Sequence, residues 1–219
     1  MTLSDKKIEN HLRALTNLFN ASQYDLLILK CKKIIKEFPE YVILYNILGS
    51  AYQNIGELGY AKEIFNKGIK MDPNNISIMN NLANTYKQIG EVSAAENLYQ
   101  KIIKKKPKYI NAYINYGNLK KDANNYKEAI ELYNKALSLN NRMPVVYYSI
   151  SLAYQGIGDF SSAIEYANKT LSIEPKFTQA DLLISQIIKY KENDSHFLEM
   201  KTKIDKLDLN ENQSVNLNF

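Results

Sequence analysis

The side chains best able to do chemistry in this 219-residue chain are few and scattered. Its two histidines, His11 and His196, stand near opposite ends. Neither has a second ligand at metal spacing, and neither neighbours a nucleophile that a base could activate. The one cysteine, Cys31, cannot form an internal disulfide, which fits a reducing compartment. Carboxylates such as Glu128 and Glu131 lie three apart, a spacing that puts them on one ordinary solvated helix face. No glycine-rich phosphate loop occurs. The polar residues that recur at fixed offsets are asparagines: Asn81 with Asn84, and Asn115 with Asn118. A carboxamide carries both donor and acceptor, so a row of them can pair with a peptide main chain whatever that peptide's side chains are. The chemistry this points to is binding. No catalytic residue, cofactor or metal is expected.

The asparagine pairs repeat because the whole chain repeats. Pro39, Pro73, Pro107 and Pro175 fall on a 34-residue period, with Asn141 at the one intervening grid point. A period in this range marks stacked supersecondary units. The grid gives five of them: 8–41, 42–75, 76–109, 110–143 and 144–177. Each reads as two short helices. In the second, Tyr45, Leu48, Gly49 and Tyr52 occupy one helix face, Gly56 is the turn, and Ala61, Ile64, Phe65, Gly68 and Ile69 form a second apolar face that Asp72-Pro73 stops. The first unit differs, with Leu15 and Leu27 where the others carry small residues, as a terminal capping unit should. On the same grid Cys31 stands where the later units have Phe65, Tyr99 and Tyr133. That predicts a buried core thiol. His11 takes the aromatic packing position of its unit.

These residues resemble the tetratricopeptide repeat: a large aromatic, then Leu-Gly, Tyr, Ala, Phe or Tyr, Ala and Pro at fixed offsets. The resemblance covers about four fifths of the chain and implies an all-α, right-handed α-solenoid. It further implies that the first helix of every unit lines a concave side where peptides bind. The inward positions would then include Asn46 and Ser50 in the second unit, Asn80, Asn81, Asn84 and Lys87 in the third, Asn111, Asn115, Asn118 and Lys121 in the fourth, and Tyr148 in the fifth. The recurring asparagines look like the asparagine ladder of the repeat domain of O-linked GlcNAc transferases. The lysine and arginine clamp of chaperone-binding members is not reproduced, because basic residues appear only deeper, at Lys87 and Lys121.

Composition narrows the partners. The net charge is +5, and its one dense run, Lys101 to Lys108, lies at a helix end where lysines complement the negative end of the dipole. No aromatics interleave with it, so no nucleic acid is expected. No apolar run approaches the roughly 20 residues that cross a bilayer, and Met1–Asn10 is polar rather than leader-like. A soluble, cytoplasmic chain that makes no membrane contact is expected.

The period breaks after Phe177. Thr178–Lys191 reads as one more first helix, Glu192-Asn193-Asp194-Ser195 as a turn, and His196–Leu207 as an amphipathic helix, so that 178–208 would cap the stack. Residues 209–219 read as a polar tail, ending as though another helix were beginning at Val215 to Phe219. This succession resembles bacterial proteins in which tetratricopeptide repeats precede a sulfotransferase domain. Three functions follow as expectations. The first is a non-catalytic module that binds an extended peptide or protein in an Asn-rich groove. The second is the substrate-recruiting arm of a larger modifying enzyme, a sulfotransferase before a glycosyltransferase. The third is a scaffold that associates with itself through its C-terminal helices.

Overall fold

The computed structural model describes residues 3–191 and 194–217. Thirteen α-helices and no strand occur among the described residues. They are α1 (Leu3–Asn20), α2 (Tyr24–Glu37), α3 (Val42–Asn54), α4 (Leu58–Met71), α5 (Ile76–Gln88), α6 (Val92–Lys105), α7 (Ile110–Asp122), α8 (Tyr126–Leu139), α9 (Pro144–Ile157), α10 (Phe160–Ile173), α11 (Thr178–Ile187), α12 (Ser195–Lys206) and α13 (Glu211–Val215). The chain divides into two compact units, Met1–Ala112 and Tyr113–Phe219. In the first, each of α1 to α5 packs on the next, and α3 also touches the first helices α1 and α5 on either side of it. In the second, α8, α9, α10 and α11 pack in succession and α13 rests on α11. Stacking of consecutive helix pairs is the α-solenoid arrangement.

One column of the 34-residue grid ends the first helices. Gly56, Gly90 and Gly158 have φ of 80, 81 and 86°, and Ser22 and Asn124 take φ of 56 and 59° at the equivalent places. The left-handed turn therefore recurs in all five repeats, twice without glycine. Nothing lies within 4 Å of a Cβ built on Gly56, Gly90 or Gly158, so backbone conformation and not crowding selects glycine there.

Two other columns set the packing inside each pair. Ala61, Ala95, Ala129 and Ala163 are fully buried on the second helices. Facing them, first-helix Gly49 and Gly117 lie under rings: an added Cβ would stand 2.5 Å from Phe65 and 2.6 Å from Tyr133. The first repeat reverses the sizes. Leu15 and Cys31, both at 0% exposure, take the places held later by Gly49 and Phe65.

Cys31 is a core thiol as the grid requires, its S–H donating to the Leu44 carbonyl at 3.4 Å. Burial pushes the thiol from 9.0 to about 12. The unfolded chain therefore ionises first, and folding stability falls as pH rises from about 9 towards 12. Since the thiolate is the nucleophile, native protein at pH 8 should resist iodoacetamide and become labelled only when guanidinium unfolds it. Stoichiometric labelling of folded protein in a mass spectrum is the outcome that excludes a buried role.

The C-terminal region departs from the sequence reading in two ways. Helix α11 ends at Ile187, short of Lys191, because Ile188 is extended (φ −94°, ψ 147°). This lets the chain swing back so that Tyr190 meets His196, with O to Nδ1 at 2.7 Å. Asp194 does cap the following helix, accepting from the His196 N–H at 3.0 Å, whereas Glu192 and Asn193 lie outside the described residues. The stretch expected to be a polar tail instead contains α13, started by a capping box of Asn210 and Gln213. Gln213 donates to the Lys176 carbonyl at 2.8 Å, Asn216 donates to Thr178 Oγ1 at 3.1 Å, and Leu217 is buried. Polar side chains of this stretch satisfy backbone and hydroxyl groups at the α10–α11 corner. The terminal Phe219 lies outside the described residues.

Candidate functional site

In the first unit the first helices of the repeats are α1, α3 and α5, with α3 touching the other two. Asn46 and Ser50 are half-buried on α3, four residues apart and so on one face. With Thr16, Phe19 and Ile47 they line a shallow cavity of about 220 Å³. From the next repeat Asn81 donates Nδ2 to Asn46 Oδ1 at 3.0 Å and to Ser50 Oγ at 3.3 Å. Gln53 donates to Gln88 at 3.2 Å. These bonds join residues 31 to 35 positions apart, so the polar row stitches neighbouring repeats together as well as facing solvent. Asn81 still has its Oδ1 and Asn46 its Nδ2 to offer. Asn84 and Lys87 are half-buried further along α5. Asn80 is the exception: at 6% exposure it has almost no surface to give a ligand. Its expected place in the groove is corrected to the interior, on the flank of α5 next to buried Met79.

In the second unit the first helices carry Asn115, Asn118 and Lys121 half-buried on α7 and Tyr148 half-buried on α9. Asn111, at the start of α7, is exposed. Lys121 pairs with Asp122 at 3.1 Å. The ring of Tyr148 packs against Phe177 with centroids 5.1 Å apart, which commits much of it to the core under α11.

A relation absent from the sequence reading links the two asparagines at Asn84 and Asn118 to buried tyrosines. The Tyr99 O–H donates to Asn84 Oδ1 at 2.6 Å, and the Tyr133 O–H donates to Asn118 Oδ1 at 2.7 Å. Burial holds both phenols well above their ordinary range, so they remain donors at any physiological pH. A buried phenol needs such a partner. The signal was present in the grid: the two repeats with Tyr99 and Tyr133 have Asn84 and Asn118 fifteen residues earlier, whereas Phe65 goes with Ser50 and Ala167 with Leu152.

The most strongly charged cluster lies elsewhere. Asp181 on α11 is fully buried, and its Oδ1 receives Lys203 Nζ at 2.6 Å and His196 Nε2 at 3.2 Å. Its Oδ2 is buried without a partner. His196 also meets Tyr190 through Nδ1 at 2.7 Å and stacks on its ring. Burial pushes the Tyr190 phenol up to about 12. Both nitrogens of the imidazole are thus engaged, and neither is left to take a proton from a substrate. The cluster holds α12 on α11. Among the described residues no group of three or more His, Cys, Asp and Glu could hold a metal ion, and no helix is long and apolar enough to cross a membrane.

Comparison with known proteins agrees with this architecture. A TPR-repeat model matches residues 117–158, and tetratricopeptide-repeat models match 42–75, 64–97 and 144–177. Among solved structures, one of MamA is 28% identical and covers 82% of this chain and 98% of its own, with a TM-score of 0.63. A second MamA structure is 26% identical, covers 81% and 94%, and has a TM-score of 0.62. A thermophilic TPR protein of Thermus thermophilus shares the fold at 17% identity, covering 82% and 97% with a TM-score of 0.69. No curated protein sequence matches the chain.

Proposed function

We propose, from the premise that this chain belongs to the tetratricopeptide-repeat family, that it is a protein-interaction scaffold whose first helices receive an extended peptide. The observation that carries this reading is the polar row on α3 and α5, in which Asn46, Ser50 and Asn81 are joined yet only half-buried beside a shallow cavity. Carboxamides already fixed by one bond lose little further freedom when they meet a ligand. Helices α3, α5 and α9 contain no acidic residue, and α7 contains only Asp122, so the row discriminates little by charge within itself and suits main-chain recognition.

The test is a random-peptide display selection on the whole chain, followed by affinity measurement with groove variants. Asn46→Ala combined with Asn81→Ala should weaken a selected peptide by about tenfold or more, as loss of two hydrogen bonds predicts. An unchanged affinity would discard the groove.

A second reading, self-association, is favoured by Leu198, Ile204 and Val215, which stand 47, 41 and 63% exposed on α12 and α13. Light scattering over a range of concentrations decides it, and a monomer throughout removes it. The reading as a recruiting arm of a sulfotransferase rests on the order of α11, the Asp194-capped α12 and the short α13. Sequencing the gene beyond Phe219 tests that reading.

A further inference from the structure

We infer that the second helices of the first unit, α2, α4 and α6, present a face that docks on an anionic lipid surface. The inference is independent of the groove on the first helices. Two columns of the 34-residue grid carry it. Lys33, Lys67 and Lys101 stand in one, and Lys36, Lys70 and Lys104, one turn later, in the other. All six are exposed. Helix α2 packs on α1 and α3, α4 on α3 and α5, and α6 on α5, which leaves the lysine side uncovered. Lys67 pairs with Glu63 at 2.7 Å, with side chains 53 and 58% exposed. Such a solvated pair is worth little. The other five lysines have no acidic partner among the described residues.

The helix dipole alone does not account for these columns. It favours a cation at every helix C-terminus, yet α8 and α10 carry no basic residue in their last turn. Their second column holds Ser138 and Ser172. Their first column keeps lysine, at Lys135 and Lys169, but each follows a glutamate by four residues, and Glu165 holds Lys169 at 2.6 Å. Residues 1–112 have 16 Lys and Arg against 10 Asp and Glu, and residues 113–219 have 12 against 13. The positive excess of the chain therefore lies in the first unit.

The apolar part of the same face selects lipid over another polyanion. Leu26 and Leu29 share the outward face of α2 with Lys33 and Lys36, and Tyr60 precedes Lys67 by two turns on α4. These three side chains are 41, 55 and 57% exposed. A bilayer interface takes up leucine and tyrosine side chains while lysine stems lie along them and reach the headgroups. A phosphodiester strand offers leucine no such environment. Every cation of the two columns is a lysine, without the arginine fork that pairs with phosphate at two points. No helix among the described residues is long and apolar enough to cross a membrane, but a contact at the surface requires none.

The experiment sediments the whole chain with vesicles of phosphatidylcholine alone, and with vesicles of equal parts phosphatidylcholine and phosphatidylglycerol. The chain should pellet with the mixed vesicles only. It should be released as salt rises from about 0.1 to about 1 M, over which the screening length falls from about 10 to about 3 Å. Lys33→Gln, Lys67→Gln and Lys101→Gln together should weaken binding about hundredfold. Lys135→Gln with Lys169→Gln, in the second unit, should leave it unchanged. Leu29→Ser with Tyr60→Ser should also weaken it. All these side chains are exposed, so the helices should persist, which circular dichroism checks. Pelleting with neither vesicle, equal pelleting with both, or full binding by the triple lysine variant overturns the inference. So does tighter binding to a mixed-sequence oligonucleotide that Leu29→Ser with Tyr60→Ser leaves intact, which would make the face a nucleic-acid contact.

Discussion

Lys203→Met lowers the stability of the C-terminal cap by about 3–5 kcal/mol, the loss expected when one member of a buried ion pair is removed. The reason is what stays behind. Asp181 is fully buried and its Oδ2 already lacks a partner. Lys203 Nζ, at 2.6 Å from Oδ1, is the closest positive charge. Methionine keeps the stem of the lysine and removes the charge, so the carboxylate is stranded with only the His196 N–H. Asp181→Asn together with Lys203→Met leaves no buried charge and should recover most of the loss. Helix α12 buries Met200 but leaves Leu198 and Ile204 exposed, so its docking depends heavily on this polar anchor. Native-state hydrogen exchange of the Ser195–Lys206 amides is the direct readout. Unchanged protection in the single variant would show that the cluster does not hold the helix.

The second large effect is a double-mutant cycle between Gly49 and Phe65. Gly49→Leu alone drives a side chain into the Phe65 ring, which lies 2.5 Å from where the Cβ would stand. It should cost about 1–3 kcal/mol or more. Phe65→Cys alone empties a fully buried position and should cost about 3–5 kcal/mol, the range of large-to-small core changes. Combined, they rebuild the pair that the first repeat uses, Leu15 with Cys31. The double variant should therefore be more stable than the sum of the singles by about 2–3 kcal/mol. Guanidinium titration of the four proteins measures this coupling, and additive losses would mean that the reversed pair is not interchangeable between repeats.

Most of the fold was legible because the signal was redundant. The 34-residue period locates the helix pairs, the left-handed turns at Gly56, Gly90 and Gly158, and the small residues Ala61, Ala95, Ala129 and Ala163. Each position was stated several times over, so chance matches cancelled. The C-terminal region had no such repetition. There the end of α11 at Ile187 and the capping box of α13 depend on single contacts between residues far apart in sequence, such as Gln213 with the Lys176 carbonyl.

For the candidate groove, the family resemblance supplied the helix face and the grid supplied the positions, and among these Asn80 is 6% exposed because one helix position separates a solvent-facing side chain from a buried one. Periodicity resolves direction to about a third of a turn, and burial at the edge of a face is decided by what the next helix brings.

By itself the amino-acid sequence determined the repeat, the pairing of helices and the buried identities of Cys31 and the central tyrosines, since periodic burial of apolar area is a one-dimensional property of a solenoid. Only the tertiary structure decided which atoms of the polar residues are spoken for. It placed a buried phenol against each of Asn84 and Asn118, joined Asn81 to Asn46, and gathered Asp181, His196 and Lys203 around one carboxylate oxygen. A hydrogen bond depends on tenths of an ångström and on angle, and neither is written in the order of residues.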